Sequence, residues 1–178
     1  MPETKIYSIY VPFDSGRLNG KTDNSITILV HAPRYLKQPY IAYRESPYHL
    51  KISKYSKWDE SPDEIVKTHF KDSLYSTGLF QDVRTSNIVS GSIYSLKIDL
   101  KGFERYDEGK DSFGELIMDV VLFSPDMKVL YQDNIIKKVK LDDRDFLSLA
   151  KGLSIALTEL IAEVRNNIVQ SILNMKNE

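Results

Sequence analysis

Tyr94-Ser95-Leu96-Lys97-Ile98-Asp99-Leu100 alternates an apolar side chain with a polar one at every step. That period of two puts Tyr94, Leu96, Ile98 and Leu100 on one face of a strand and Ser95, Lys97 and Asp99 on the other. This is the pattern of an antiparallel strand covered on one side only. Downstream, Leu116, Met118, Val120 and Leu122 repeat it, but the opposite face there carries Ile117, Val121 and Phe123 besides Glu115 and Asp119. The second strand is therefore central in the sheet, or its outer face meets a partner. Ser124-Pro125-Asp126 supplies a turn, and a third strand from about Lys128 to Val139 completes a meander.

Helices bracket this meander. On the N-terminal side, Ser61-Pro62-Asp63-Glu64 places a hydroxyl at an N-cap, proline at the first helical position and a glutamate three residues after the cap. The arrangement predicts a capping box, each side chain satisfying an orphan backbone donor. Ile65, Val66, His69, Phe70, Leu74 and Thr77 then share one face, and Gly78 stands where a left-handed cap is wanted. The predicted helix runs from Pro62 to about Thr77. On the C-terminal side, Phe146, Leu149, Leu153, Leu157, Leu160, Ile161, Val164, Ile168 and Ile172 form the stripe of a helix from about Asp143 to Leu173, roughly 45 Å long at the α-helical rise. Gly152 within it implies close packing, since glycine costs about 1 kcal/mol relative to alanine in a helix.

Earlier still, Lys5 to Val11 reads as a β-branched and aromatic strand closed by Pro12, followed by Asp14-Ser15-Gly16 turn chemistry. Ile26 to Val30 is a second strand, Ile41 to Arg44 a short third, and His49 to Tyr55 a short fourth. Strands, helix, strand meander and helix in that order give an α+β fold: a mostly antiparallel sheet with two helices packed on one face, the C-terminal one long. A chain of 178 residues is expected to form one domain, residues 1–178.

Composition removes several function classes. Lysine and arginine number 24 against 25 acidic residues, so no global field draws the chain to nucleic acid. With no cysteine, disulfides, thiolate metal sites and a cysteine nucleophile are excluded. No apolar run reaches the roughly 18 residues of a membrane span.

Each apparent chemical motif has a simpler explanation. Gly16-Arg17-Leu18-Asn19-Gly20-Lys21-Thr22 is one residue short of a phosphate-binding loop, and a strand follows it instead of a helix. A solvated loop is the expectation. His31, His49 and His69 lack metal-ligand spacing, and His69 is expected as a hydrogen-bonded core histidine. Asp142, Asp143 and Asp145 suit the start of a helix. Lys137, Lys138 and Lys140 suit a solvated strand end. No nucleophile elbow marks a triad. Catalytic residues, metal and cofactors are accordingly expected to be none. The aromatic concentration Tyr35, Tyr40, Tyr43, Tyr48, Tyr55 and Trp58 has two readings, packing at the core margin or a partner or ligand surface.

The segment Val30-His31-Ala32-Pro33-Arg34-Tyr35-Leu36-Lys37-Gln38-Pro39-Tyr40-Ile41-Ala42-Tyr43-Arg44 resembles the signature of the ABC-type transport auxiliary lipoprotein family. There a strand ends in proline, Tyr-Leu-x-x-Pro follows, and a short apolar strand ends in arginine. Tyr55-Ser56-Lys57-Trp58-Asp59-Glu60-Ser61-Pro62 is similar to that family's Tyr-x-x-Trp before a helix, and Ile6 to Tyr10 to its first strand. The likeness is dense from Val30 to Phe80 and architectural beyond.

The resemblance implies a non-enzymatic periplasmic lipoprotein, held at the outer membrane by a lipidated cysteine. Such proteins accompany MCE-type systems that move lipid between membranes. That cysteine is absent from this sequence, which is read as beginning just after it, with residues 1–4 the remnant of a tether. The implied partners are an MCE-type transporter component or other envelope proteins, with a homo-oligomer possible. Tyr35, Leu36, Pro39, Tyr40, Tyr43, Arg44 and Trp58 are the candidate partner or lipid surface. The alternative function is an oligomeric scaffold that never touches lipid, motivated by Ile117, Val121 and Phe123.

Overall fold

The computed structural model describes residues 2–14, 16–18 and 20–177. Ser15 of the expected turn, Asn19 of the expected loop and Met1 of the expected tether lie outside them. The elements are β1 (Lys5–Tyr7), β2 (Ile26–His31), a 3-10 turn (Arg34–Lys37), β3 (Tyr40–Ser46), β4 (His49–Trp58), α1 (Pro62–Ser76), β5 (Val83–Thr85), β6 (Tyr94–Glu108), β7 (Asp111–Phe123), β8 (Val129–Lys140) and α2 (Phe146–Met175).

All eight strands join one sheet. Its long pairings, β6 with β7 and β7 with β8, are antiparallel, as the alternation predicts. The parallel pairings are shorter: β1 with β4, β2 with β5, and β2 and β3 each with β6. β6 organises the whole. β7 occupies one of its edges from Ser95 to Glu108. The other edge is shared, Tyr94 to Asp99 pairing with β2 and Arg105–Tyr106 pairing with β3. Between these two stretches Lys101 has no partner on β7, because Leu100 faces Met118 and Gly102 faces Ile117. Such a bulge bends the strand and sharpens its twist, which lets one edge serve two neighbours.

Both helices lie against the same face. α1 packs on β2 and β5, α2 on β7 and β8, and the helices touch each other. Ile65, Val66, Phe70 and Leu74 of α1 and Leu149, Leu153, Leu157 and Leu160 of α2 meet Leu96, Ile98, Leu100, Met118 and Val120 in one continuous core. Ile117, Val121 and Phe123 lie on the uncovered face, half-buried by their neighbours.

Some expectations need correction. The first strand stops at Tyr7 instead of Val11. After Tyr7 accepts from the Asp59 amide at 2.9 Å, the chain leaves the sheet and runs along α2. There the Tyr10 amide donates to Ser154 Oγ at 3.0 Å and Asp14 pairs with Arg165 at 2.7 Å. The capping box does not form: Ser61 sits at the N-cap, but its side chain makes no cap bond. Glu64 turns instead to Lys67 at 2.7 Å. Gly78 does adopt the left-handed conformation, with φ of 66°. α2 begins at Phe146, and of the three aspartates Asp145 is its cap, accepting from the Ser148 amide at 2.7 Å. That bond holds its carboxyl below the usual range. Gly152 is packed as closely as expected, since a Cβ there would stand 2.5 Å from Leu141 Cδ2.

Candidate functional site

The seven residues singled out from the sequence gather around the β3–β4 hairpin, but they point in different directions. Leu36 and Trp58 are core residues, each 1% exposed. Trp58 lies edge-on to Phe103, ring centroids 5.5 Å apart, and its amide donates to the Pro39 carbonyl at 2.7 Å. These three close the junction between the 3-10 turn and the hairpin. Burial takes Leu36 and Trp58 out of any docking surface. An apolar side chain and a large aromatic ring one layer from the helices have more to gain in the core than at an interface.

Tyr35 and Arg44 converge on Glu104 of β6. The Tyr35 hydroxyl donates to Oε2 at 3.0 Å and Arg44 Nε donates to Oε1 at 2.6 Å. The Glu104 side chain is only 6% exposed and that of Arg44 21%, so this charge-assisted pair is sheltered from water. Burial first, and the Glu104 charge second, push the Tyr35 phenol up to about 12. The triad ties the turn and β3 to β6 where the bend occurs.

Tyr43 faces the helices. Its ring is edge-on to Phe146 at 5.9 Å, and the Arg105 guanidinium lies 4.9 Å from the Tyr43 ring and 5.0 Å from that of Phe146. Arg105 is the centre of a polar network that sequence reasoning missed. It forks onto Asp107 with two bonds of 3.0 Å; Ser112 Oγ donates to Asp107 at 2.6 Å, and Arg144 Nε donates to Ser112 Oγ at 3.0 Å. The network pins the β6–β7 turn to the start of α2. Its signal was present as charged residues, Arg105 and Asp107, spaced two apart on what proves to be a buried strand face.

Beside Glu45, His49 and Lys54, the hairpin exposes aromatic and apolar side chains: Tyr40 at 41%, Ile52 at 42%, Tyr55 at 51% and Tyr48 at 95%. Tyr and Ile side chains in water on a rigid hairpin are the kind of group that interfaces bury.

The other sequence candidates resolve simply. His31 approaches Asp99 at 3.5 Å, and His49 is exposed at the start of β4. His69 is half-buried on α1 rather than in the core. It lines a groove of about 250 Å³ with Val11, Phe13, Asp72, Ile161 and Arg165, and desolvation lowers its pKa. Among the described residues no three His, Cys, Asp or Glu side chains could together hold a metal. The Gly16–Thr22 loop is tied to the end of α1, its Leu18 and Thr22 amides donating to Thr77 and Leu79 carbonyls at 2.9 and 2.7 Å. That is a helix C-terminus, whose dipole repels anions. Lys137 pairs with Glu163 at 2.9 Å, Lys140 with Asp111 at 3.1 Å, and Lys138 with Glu108. No helix among the described residues is long and apolar enough to cross a membrane.

Comparison with known proteins adds a family match and a set of structural neighbours. The model of the family described as ABC-type transport auxiliary lipoprotein component matches residues 18–165. Protein XCC0632 of Xanthomonas campestris superposes with a TM-score of 0.82 at 18% identity, over 98% of this chain and 100% of that one. An uncharacterized protein superposes at 0.70 and 15% identity, over 93% of this chain and 99% of that one. The hypothetical protein CT253 of Chlamydia trachomatis gives 0.51 at 10% identity, over 83% and 98%. At these identities the likeness is one of fold. No curated protein matches the sequence.

Proposed function

Since the chain belongs to the ABC-type transport auxiliary lipoprotein component family, we propose that it is a non-catalytic envelope component of an MCE-type lipid transport system. In this reading it is tethered through a lipidated cysteine upstream of Lys5 and held on the periplasmic side of the outer membrane. There it docks the transport assembly or assists lipid transfer. The family match over residues 18–165 carries the proposal.

The exposed aromatic and apolar side chains of the β3–β4 hairpin support it by offering a docking surface. Tyr40, Tyr48, Ile52 and Tyr55 stand in water, while Leu36 and Trp58 anchor the hairpin in the core and Tyr35 and Arg44 tie it to Glu104. Rigid aromatic groups of this kind bury large area at little cost in side-chain entropy.

Replacing Tyr40, Tyr48 and Tyr55 together by serine is expected to leave the melting temperature within a few degrees, because exposed substitutions are within about 0.5 kcal/mol of neutral. The same variant is expected to recover less transporter protein or lipid from envelope extracts. Undiminished recovery with the folded triple variant would remove the hairpin from the proposal. An unacylated protein in the native cell would remove the tether.

A further inference from the structure

We propose that β8 is a docking edge for β8 of a second copy of this chain, the two joined antiparallel about a two-fold axis into one continuous sheet. Among the described residues β8 pairs with β7 alone, so its other side is an open edge along a 12-residue strand, where the Asn134 amide donates only locally, to Asp133 Oδ1 at 2.8 Å. The sheet's other terminal strands, β1 and β5, are three residues each. Short edges are harmless, whereas a long one invites another strand unless proline or projecting charge blocks it. β8 contains neither proline nor glycine, and each of its three lysines already has a carboxylate partner within its own chain. Lys137 reaches Glu163, Lys138 reaches Glu108 and Lys140 reaches Asp111. Val129 at 52% and Ile136 at 69% leave apolar surface exposed on the same strand.

Charge selects the occupant and its register. A two-fold axis normal to the sheet keeps each side chain on its own face, so an odd-numbered residue pairs with an odd-numbered one and an even with an even. Asp133 is the single acid of β8 among three lysines. The two-fold registers offer it one lysine, Lys137, because Lys138 and Lys140 point to the other face. Setting Asp133 opposite Lys137 of the copy also sets Tyr131 opposite Val139, Gln132 opposite Lys138 and Asn134 opposite Ile136. The overlap runs from Tyr131 to Val139, short of the bulge at Leu130, and no like charges meet.

Sedimentation equilibrium of the wild-type chain is expected to show a monomer–dimer equilibrium. Lys137→Glu sets acid against acid twice across the axis and is expected to weaken the dimer about tenfold. Combining it with Asp133→Lys restores the pairing and the dimer, with circular dichroism melts confirming that all variants fold. Because the chain has no cysteine, a mixture of the single variants Asn134→Cys and Ile136→Cys reports the register. Facing residues lie within disulfide reach, so oxidation yields the mixed dimer. Tyr48→Cys, at a 95% exposed site on the β3–β4 turn, stays monomeric in the same treatment. A chain that sediments only as monomer overturns the proposal. So does a dimer indifferent to Lys137→Glu, or one in which the Asn134 and Ile136 cysteines do not join.

Discussion

Glu104 binds two side chains that the sequence set apart as a motif, Tyr35 and Arg44, and it shows why such residues can be noticed without being understood. Their partner lies 69 and 60 positions downstream, respectively, on a strand whose alternation is legible only as far as Leu100. Local spacing carries no trace of that meeting. The phenol's shift has a consequence for pH. Its folded pKa of about 12 stands above the unfolded value of about 10, so the folded chain holds this proton more tightly. The stability Tyr35 contributes is complete below pH 10 and is lost as pH rises toward 12. Tyr35→Phe is therefore expected to flatten the decline in urea midpoint over that window, without abolishing it. Tyr94 and Tyr131 are also raised, chiefly by burial.

The end of the β6–β7 hairpin shows the same difficulty at the level of an element. β6 extends to Glu108 and β7 begins at Asp111, but the alternation seen in Tyr94–Leu100 fails in between. The bulge at Lys101 shifts the phase by one, and Arg105 and Asp107 place charge on the face where apolar residues are expected. Both are buried, and they neutralise each other under the Tyr43 and Phe146 rings. Asp107→Ala leaves the Arg105 guanidinium buried without its partner, and is expected to cost about 3–5 kcal/mol in denaturant titration. Arg105→Met with Asp107→Leu removes both charges and is expected to recover most of that loss. The helices were easier to read. Their stripes predicted α1 within a residue at its C-terminus and α2 within three at its start, since an apolar helical face needs no distant partner to declare itself.

Across the whole molecule, the sequence disclosed the layers, two helices against one sheet face, and the β6–β7–β8 meander. It did not disclose the strand order β1-β4-β3-β6-β2-β5, because parallel neighbours distant in the chain leave no common local pattern. Helices and sheet share one apolar cluster, and no helix or strand packs apart from it. Differential scanning calorimetry is expected to show a single transition with calorimetric and van't Hoff enthalpies in agreement. Two resolved peaks would mean that the β3–β4 hairpin melts separately from the rest.

The forked edge of β6 also dictates when the chain can fold. β2 and β3 both precede β6 in sequence, yet each pairs with it. Until β6 is made, β2 has only β5 and β3 only β4 to pair with. Contacts of such long separation form late and slowly. The N-terminal strands therefore cannot complete their sheet until Tyr106 has been made.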